Sequence, residues 1–252
     1  MFKKNKKNVV MLCSKKIGLE CLKILFSKQE SFSFKILGVL TNERGEEIKD
    51  FCISNNLRLI SDLQEYQTIE NVDIAISVQY HKILKQDDID VASQLTVNLH
   101  MAPVPEYRGC NQFSFAIINK EDYLGTTLHV IDTGVDSGDI LFERRFPISK
   151  NINVETLYNK TFNESVILFE DNLHHIINGE YSPKVQKLTT DRKKYFYKRK
   201  DIEDIKRIDL SWSKEKINRY LRATSMPGFD PPYTILNGKK TPLTLDLINE
   251  KK

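Results

Sequence analysis

The chain has 252 residues, of which 40% are hydrophobic and 29% are charged, with only 10 Gly and 8 Pro. These values are typical of a globular protein and exclude a fibrous or largely disordered chain. The 38 basic and 34 acidic residues leave a net charge of +4, which is too small a bias to indicate a nucleic-acid-binding protein. The length favours one large domain, or one domain with an appendage.

The four cysteines, at positions 13, 21, 52 and 110, form no CxxC pair and have no histidines at zinc-finger spacing. Neither a metal site nor a disulfide framework is therefore expected, and a reducing cytoplasm is the expected compartment. The apolar run Val9–Cys13 is too short for the apolar core of a signal peptide and far too short for a membrane span. It is predicted to be a buried strand.

Strand-like and helix-like segments alternate in the first part of the chain. The strand-like runs are Val9–Cys13, Phe34–Leu40 and Asp73–Val78, and the helix-like stretches are Ile17–Ser27 and Glu46–Asn55. This alternation predicts an α/β fold with a mostly parallel sheet and helices on both faces. Ligands of such sheets bind beyond the carboxyl ends of the strands, so the loops at 14–18, 41–45 and 79–82 are candidate binding loops.

The first of these loops contains Ser14, Lys15 and a single glycine, Gly18. A dinucleotide-binding loop needs more glycines, because its backbone closely approaches the pyrophosphate. NAD binding is therefore not expected. Because the loop follows the first strand, Ser14 and Lys15 are candidates for contacting an anionic part of another substrate.

The second half of the chain begins with a long amphipathic helix, predicted over Val154–Ile177 with Asn153 as its N-cap. From residue 181 the sequence becomes polar and basic. It contains a helical stretch at Lys214–Arg222 and an Asn-Gly turn at 237–238 that is typical of a β-hairpin. We expect a main domain over residues 1–180 and a small C-terminal appendage over residues 181–252.

Two polar side chains mark the end of a strand predicted over Leu95–His100. Alternation buries the apolar residues 95, 97 and 99 on one face and places Asn98 and His100 together on the other. Pro103 and Pro105 stop the strand soon afterwards. Asn98 and His100 should therefore lie at a strand end, where open sheets keep their active sites.

A second polar cluster, at 132–139, follows a strand predicted over Thr126–Ile131. The cluster turns around two glycines, and such a loop can bring a carboxylate into the cleft. Taken alone, an aspartate in a glycine-rich turn is more often a turn former that bonds its own backbone. A lone histidine near a strand end is likewise more often structural than catalytic, so neither cluster identifies a site by itself.

Three motifs occur in a fixed order: Asn98-Leu99-His100, the Pro105–Gly109 loop, and the segment from Thr126 to Asp139. With this combination the sequence resembles the folate-dependent formyltransferases, over at least residues 9–148. The resemblance implies a Rossmann-like formyltransferase fold with Asn98, His100 and Asp136 as the catalytic residues. Asp139 is the less favoured alternative to Asp136.

The resemblance also implies N10-formyltetrahydrofolate as co-substrate, with no metal, and a pterin held by loops matching 77–84 and 129–136. The candidate folate contacts are Ser77, Gln79, Tyr80, Leu84, His129 and Asp132. Formyl transfer passes through a tetrahedral carbon whose oxygen becomes negative, and an Asn98 amide can donate a hydrogen bond to it. His100 can accept the proton of the amine or, when charged, stabilise the oxyanion, with Asp136 orienting it. Both histidine roles stay open.

The tail resembles that of sugar nucleotide N-formyltransferases, in particular enzymes acting on dTDP-4-amino-4,6-dideoxyglucose for lipopolysaccharide O-antigen sugars. Cys110 replaces an arginine of the related aminoarabinose enzymes, which weakens a UDP-aminoarabinose interpretation. The candidate sugar-nucleotide contacts are Ser14, Lys15, Tyr197, Arg199 and Arg222; structural roles for Arg222 and the aromatic run are equally open. A homodimer formed through the C-terminal hairpin is implied by the resemblance only.

Three alternatives remain. The acceptor can be another amine, such as a different nucleotide aminosugar or glycinamide ribonucleotide. A formyltetrahydrofolate hydrolase would keep the same polar residues and add an N-terminal regulatory domain, for which the seven residues before the first strand are expected to leave no room. A non-catalytic folate or nucleotide binder would not need Asn98, His100 and Asp136 together.

Overall fold

The protein is described here by a computed structural model, which covers residues 6–187 and 195–244. The strands of these ranges are β1 Lys7–Cys13, β2 Phe34–Leu40, β3 Leu59–Ile60, β4 Ile74–Val78, β5 Leu95–His100, β6 Tyr107–Gly109, β7 Tyr123–Val130, β8 Ile140–Pro147, β9 Tyr195–Tyr197, β10 Tyr233–Leu236 and β11 Lys239–Pro242. The helices are α1 Lys15–Ser27, α2 Glu46–Ser54, α3 Leu63–Gln67, α4 Gln86–Ile89, α5 Gln112–Ile118, α6 Val154–Asn178, α7 Asp201–Lys206 and α8 Lys214–Thr224. Parts of the predicted appendage, 188–194 and 245–252, lie outside the described residues.

A seven-stranded sheet in the order β3-β2-β1-β4-β5-β7-β8 forms the centre of the fold. The first five strands are parallel, whereas β7 and β8 are added antiparallel. The predicted mostly parallel α/β sheet is thus confirmed. The strand predicted at 126–131 is longer than expected and begins at Tyr123.

Strand β1 is apolar on both faces because helices cover both sides of the sheet. Val9, Met11 and Cys13 belong to one core cluster, and Val10 and Leu12 belong to another on the opposite face. Parallel strands covered in this way are near-continuous apolar runs rather than alternating ones. The run at 9–13 that predicted a buried strand therefore also indicated that its sheet is covered twice.

The chain leaves β1 toward β2 on one side, and β4 occupies the other side of β1. This reversal of strand order opens a crevice between the loops that follow β1 and β4. The loops are joined there: the Ser14 N–H donates to the Val78 carbonyl (3.1 Å), and Lys15 Nζ donates to Gln79 Oε1 (2.9 Å). Two of the predicted binding loops therefore meet at one edge of the sheet.

Helix α6 packs on β7, β8 and α1, as its apolar periodicity predicted. The Asn153 side chain caps the helix by accepting a hydrogen bond from the Thr156 N–H (2.8 Å), and Gly179, with φ 72°, ends it in the left-handed conformation. On the helix face turned to the sheet, the buried Ser165 hydroxyl donates to the Thr126 hydroxyl (2.7 Å).

The chain beyond α6 packs against the main sheet domain rather than apart from it. Strand β9 pairs in parallel with β6, with Tyr195 opposite Tyr107 and Tyr197 opposite Gly109. Helix α8 packs on α5. The predicted hairpin is present as β10 and β11, and its turn residues Asn237 and Gly238 both have positive φ, as a two-residue hairpin turn requires.

In the described part of the chain, no helix has the combination of length and apolar composition needed to cross a membrane.

The contribution of the Asn153 cap to stability can be tested by mutation. Asn153→Ala should lower the free energy of unfolding by about 1 kcal/mol, because the Thr156 N–H loses its acceptor. Urea unfolding followed by circular dichroism measures this change. Asn151→Ala, two residues earlier at an exposed position, is the control and should have little effect. Equal losses for the two variants would contradict the cap.

Candidate active site

The site begins at the carboxyl end of β5, where the antiparallel neighbour β7 brings a third polar residue beside the predicted pair. Asn98 lies directly opposite His129, and His100 lies opposite Thr127. Residues opposite each other in antiparallel strands project to the same face. The histidines on the face that carries Asn98 and His100 are buried: His100 is 5% exposed and His129 is 2% exposed.

The hydrogen bonds of His100 define which of its ring atoms faces the cluster. Nε2 lies 2.8 Å from the Tyr107 carbonyl oxygen, and because a carbonyl only accepts, Nε2 carries a proton. Nδ1 lies 3.7 Å from Asp136 Oδ2. In neutral His100, Nδ1 is therefore the basic atom, and a proton gained there is stabilised by the carboxylate beside it.

His129 links the amide of Asn98 to the carboxylate of Asp136. Its Nδ1 lies 2.8 Å from the Val130 carbonyl and donates to it. In neutral His129, Nε2 then accepts a hydrogen bond from Asn98 Nδ2 at 3.1 Å. The same Nε2 is 3.6 Å from Asp136 Oδ1, so this buried imidazole fixes the amide on one side and faces the carboxylate on the other.

The Asp136 carboxylate is the point where these contacts meet. Its side chain is 16% exposed, and Oδ2 accepts the Gly109 N–H at 2.9 Å. Burial alone would raise the pKa of Asp136. The charge of His100, the contact with His129 and the Gly109 N–H outweigh burial and hold the pKa of this carboxyl well below its usual range. Asp136 is therefore ionised at neutral pH.

The backbone around Asp136 depends on two glycines and on one left-handed residue. Asp136 itself has φ 48°, a conformation that non-glycine residues adopt only when their surroundings hold them there. A Cβ on Gly138 would lie 2.0 Å from the Val130 carbonyl oxygen, and a Cβ on Gly109 would lie 2.4 Å from the Tyr197 carbonyl oxygen. The loops can approach each other this closely only with glycine at both positions.

The predicted catalytic residues Asn98, His100 and Asp136 are thus brought together in one cluster. An amide nitrogen carries two hydrogens, so Asn98 can bond His129 with one and donate the other to a substrate oxygen. His100 Nδ1 supplies a base, and Asp136 stabilises the resulting imidazolium. Asp139 is absent from the cluster. These are the parts that acyl transfer through a tetrahedral intermediate requires.

The residues predicted to contact folate differ in their burial and in their partners. Ser77 and Leu84 are buried, and Tyr80 packs beside a core cluster, where burial raises its pKa to about 12. Gln79 lies at the crevice with its side-chain oxygen bonded to Lys15. The exposed Asp132 accepts from the Gly134 N–H (3.0 Å) and the Ser137 hydroxyl (2.6 Å), so it is the turn former of its loop.

Two of the residues predicted to contact the sugar nucleotide, Ser14 and Lys15, begin the loop after β1. The Ser14 side chain is buried, and its hydroxyl donates to the Gln79 carbonyl. Lys15 lies near two further cations: burial lowers its pKa, and the charges of Arg44 and Arg199 lower it further. Lys15, Arg44 and Arg199 form a cationic cluster at the mouth of the crevice.

Tyr197 and Arg222, which were also predicted to contact the sugar nucleotide, make contacts typical of structural residues. The Tyr197 ring stacks on Phe115 with 3.6 Å between ring centroids, and its hydroxyl accepts from Asn119 (3.0 Å). Arg222 donates to Asn218 (2.9 Å) and to the Ile152 carbonyl (2.5 Å). Their binding roles stay predictions.

Sequence reasoning missed several residues of this region. It named His129 only as a folate contact, which stays a prediction, and did not foresee that His129 faces Asn98 across the β5–β7 ladder; antiparallel pairing was the signal that would have shown this. It did not single out Gly109, whose N–H reaches Asp136, or Arg44 beside Lys15. It also missed Gln186, which bonds the backbone of the Asp136 loop.

A search of the described residues for metal ligands finds one group, His174, His175 and Glu180, all exposed. Glu180 already pairs with His175 (3.1 Å) and His174 (3.8 Å). This group lies at the end of α6 and shares no residue with the cluster around Asp136.

The strands of this Rossmann-like sheet carry an amide donor, an imidazole base and an ionised carboxylate near their ends. This arrangement is that of an enzyme that transfers an acyl group. A model of the formyl transferase family matches residues 5–172. The chain belongs to this family, and the predicted family membership is confirmed.

Individual relatives and solved structures support the fold over nearly the whole chain. A methionyl-tRNA formyltransferase from Clostridioides difficile is 24% identical over 234 residues, covering 86% of this chain and 73% of that protein. A 4-N formyltransferase from Francisella tularensis superposes with a TM-score of 0.79 and 22% identity, covering 95% of this chain and 98% of that one. WlaRD, a sugar 3N-formyl transferase solved with dTDP and 5-N-formyl-THF, gives a TM-score of 0.78 and 24% identity, covering 94% of this chain and 85% of that one. Three other relatives by sequence are longer, and the chain spans 32% to 49% of them.

The ionised Asp136 predicts a specific pH dependence of stability. Because its folded-state pKa is depressed, its contribution is fully present above the unfolded pKa of about 3.9 and is lost as pH falls toward the folded value. The difference in unfolding free energy between wild type and Asp136→Asn should therefore be largest at neutral pH and shrink below about pH 4. Urea titrations at several pH values measure it.

The control for this prediction is Asp139→Asn, because the Asp139 side chain makes no hydrogen bond or ion pair within the described ranges. A difference that stays constant from neutral to acid pH for Asp136→Asn would contradict the assignment of Asp136 as a buried, ionised group.

Proposed function

We propose that this protein transfers the formyl group of N10-formyltetrahydrofolate to the amino group of a nucleotide-linked aminodeoxy sugar. The observation that carries the proposal is the cluster of Asn98, His100, His129 and Asp136 at the strand ends of a formyl transferase chain. The leading acceptor is dTDP-4-amino-4,6-dideoxyglucose, made for O-antigen sugars of lipopolysaccharide in the cytoplasm.

The reaction follows from the atoms of the cluster. The sugar amine attacks the formyl carbon of the folate, and the carbonyl oxygen becomes negative in the tetrahedral intermediate. The free N–H of Asn98 donates to that oxygen, and His100 Nδ1 takes the proton that the amine loses. Asp136 stabilises the charged imidazole at 3.7 Å. Tetrahydrofolate then leaves with its N10 nitrogen reprotonated, and the sugar amide remains.

A sugar nucleotide as acceptor is supported by the charges at the mouth of the crevice. Arg44 and Arg199 are close enough to Lys15 for their charges to act on it, and such a group lacks an explanation in formyl chemistry alone. Guanidinium and ammonium groups suit a diphosphate. Phe196, in β9, precedes Arg199 of this cluster by three residues. Phe196 is 48% exposed, so its ring is available to stack on the base of a nucleotide.

The tail supports the same acceptor class. The two sugar enzymes superpose on 94% and 95% of this chain, so their similarity in fold extends beyond the catalytic sheet. A homodimer is part of the proposal: the hairpin β10–β11 exposes Ile235 (42%) and Leu236 (46%), and exposed apolar side chains suit a self-complementary interface.

The catalytic assignment predicts that Asn98→Ala lowers kcat by about a hundredfold or more, as the loss of one oxyanion donor does in other enzymes. KM for both substrates should change much less. Tetrahydrofolate release with dTDP-4-amino-4,6-dideoxyglucose measures it, with glycinamide ribonucleotide and methionyl-tRNA as alternative acceptors.

Asp139→Asn is the control and should keep near-normal kcat. Near-normal turnover of folded Asn98→Ala and His100→Ala would contradict the site. Folate turnover that needs no acceptor would indicate a hydrolase, and turnover with methionyl-tRNA alone would replace the sugar as acceptor.

The cationic cluster predicts where the diphosphate binds. Replacing Arg44 or Arg199 by Ala should weaken dTDP-sugar binding by about ten- to a hundredfold each, since a hydrogen bond to a charged group is worth about 1.5–3 kcal/mol. Affinity for a stable folate analogue should stay the same. Isothermal titration calorimetry at two salt concentrations measures both ligands.

Lys16→Ala is the matched control, because the Lys16 ammonium lies 6.0 Å above the Phe162 ring of α6 instead of beside Lys15. Arg222→Ala tests the competing position. If only Arg222→Ala weakens the sugar nucleotide, the diphosphate binds at α8 and the cationic cluster has another role.

A further inference from the structure

Gln186 joins three segments of the chain around the catalytic carboxylate. Its amide nitrogen donates to the backbone carbonyls of Asp136 (2.9 Å) and Gly138 (2.6 Å). Its amide oxygen accepts two hydrogen bonds from the Arg108 guanidinium, from Nε at 2.9 Å and from Nη2 at 2.5 Å. One side chain therefore ties the Asp136 loop to strand β6 and to the segment that follows α6.

The hydrogen-bonding capacity of this amide is fully used. A glutamine side chain has two N–H donors and one oxygen with two lone pairs, and all four have partners here. The backbone nearby is fixed as well, because Lys184 and Ile140 exchange two hydrogen bonds of 2.8 Å. Gln186 is thus held in place by β8 and can act as a rigid support.

The Asp136 loop needs such a support. Asp136 is left-handed, with φ 48°, and residues in this region persist where neighbouring groups over-determine the backbone. The Gly109 N–H holds the Asp136 carboxylate, while Gln186 holds the Asp136 carbonyl. Arg108 is adjacent to Gly109 in β6, so the two restraints on Asp136 share one strand.

We propose that Gln186 is a positioning residue for catalysis: through Arg108 and the backbone of 136–138, it keeps the Asp136 carboxylate against His100. The proposal rests on the proposed formyl transfer. A residue that only stabilised the fold would affect unfolding but would leave the geometry of the folded site unchanged. The two roles can therefore be separated in the folded enzyme.

The first experiment compares Gln186→Ala with Gln29→Ala under steady-state conditions. Gln29 is an equally half-buried glutamine that also bridges backbone groups, those of Phe26 (3.3 Å) and Ile36 (3.0 Å), at the amino end of β2. Gln186→Ala should lower kcat by about ten- to a hundredfold, since a 1 Å misplacement can cost a hundredfold. KM should change little, and Gln29→Ala should keep normal kcat.

The second experiment repeats Gln186→Ala in an Asp136→Asn background by single-turnover measurement. If Gln186 acts through Asp136, its removal should cost little further rate there, because residues that act as a unit are not additive. A full and independent loss in that background would overturn the proposal.

The third experiment needs no acceptor and so separates this proposal from the proposed function. Hydrogen exchange of the Gly109 amide reports whether Asp136 still covers it, and we expect exchange to be about tenfold faster or more in Gln186→Ala. If the Gly109 amide of the wild type is protected from exchange but the enzyme transfers no formyl group, the proposed function is overturned and the positioning role is not. Unchanged Gly109 protection in Gln186→Ala, or unchanged kcat in an active enzyme, would overturn the positioning role.

Discussion

The burial of one ionised carboxylate is the constraint on which the site is built. Taking Asp136 out of water penalises its charge, and the charge persists only because His100, His129 and the Gly109 N–H face it. These partners come from β5 and β7 of the central sheet and from β6, which pairs with β9 in a separate two-stranded sheet. Removing any one of these partners removes an interaction that stabilises the charged form of Asp136, so the partners act together. The Asp136 carboxylate lies 3.7 Å from His100 Nδ1, the ring atom that would carry the proton after attack by an amine.

The antiparallel strands at the end of the sheet make this arrangement possible. In a wholly parallel sheet, the strand beside β5 would end at the same edge and its following loop would lead away into a helix. Here β7 runs the other way and places His129 opposite Asn98, and the loop that follows β7 brings the Asp136 carboxylate to 3.7 Å from His100 Nδ1. Gly138 permits the loop to lie against the Val130 carbonyl. The position of the Asp136 carboxylate is thus a consequence of strand direction and of the missing side chain at Gly138.

Local patterns in the sequence predicted most of the central sheet, whereas Asn98, His100 and Asp136 were proposed as catalytic residues through the resemblance to the formyltransferases. The predicted ranges of β2 and β5 coincide with the observed ones, because β2 is a largely apolar run and β5 alternates apolar and polar residues. The start of β7 was placed three residues late because Tyr123 is exposed and Gly125 has no side chain to pack. The pairing of β6 with β9 and the contact of Gln186 with Asp136 join residues far apart in the chain. No local periodicity records such contacts. Asp132 shows the same limit: it was predicted to contact folate, and the structure adds that its carboxylate bonds the Gly134 N–H and the Ser137 hydroxyl of its own turn.

The position of β9 bears on how acceptor binding and chemistry are related. Tyr195–Tyr197 pairs with the strand whose Gly109 N–H holds Asp136, and Asn111 donates to the carbonyls of Lys198 (2.9 Å) and Arg199 (3.1 Å). Arg199 belongs to the cationic cluster with Lys15, so the segment proposed to meet the diphosphate is also bonded to the strand that supports the carboxylate. A ligand that draws Arg199 toward the crevice therefore acts on β9, and β9 is hydrogen-bonded to β6. Binding energy from the nucleotide, which takes no part in the reaction, can in this way be used to fix the geometry at the formyl carbon. The residues after α6 therefore have a physical role although they take no part in the reaction: β9 pairs with β6, the strand whose Gly109 N–H donates to Asp136.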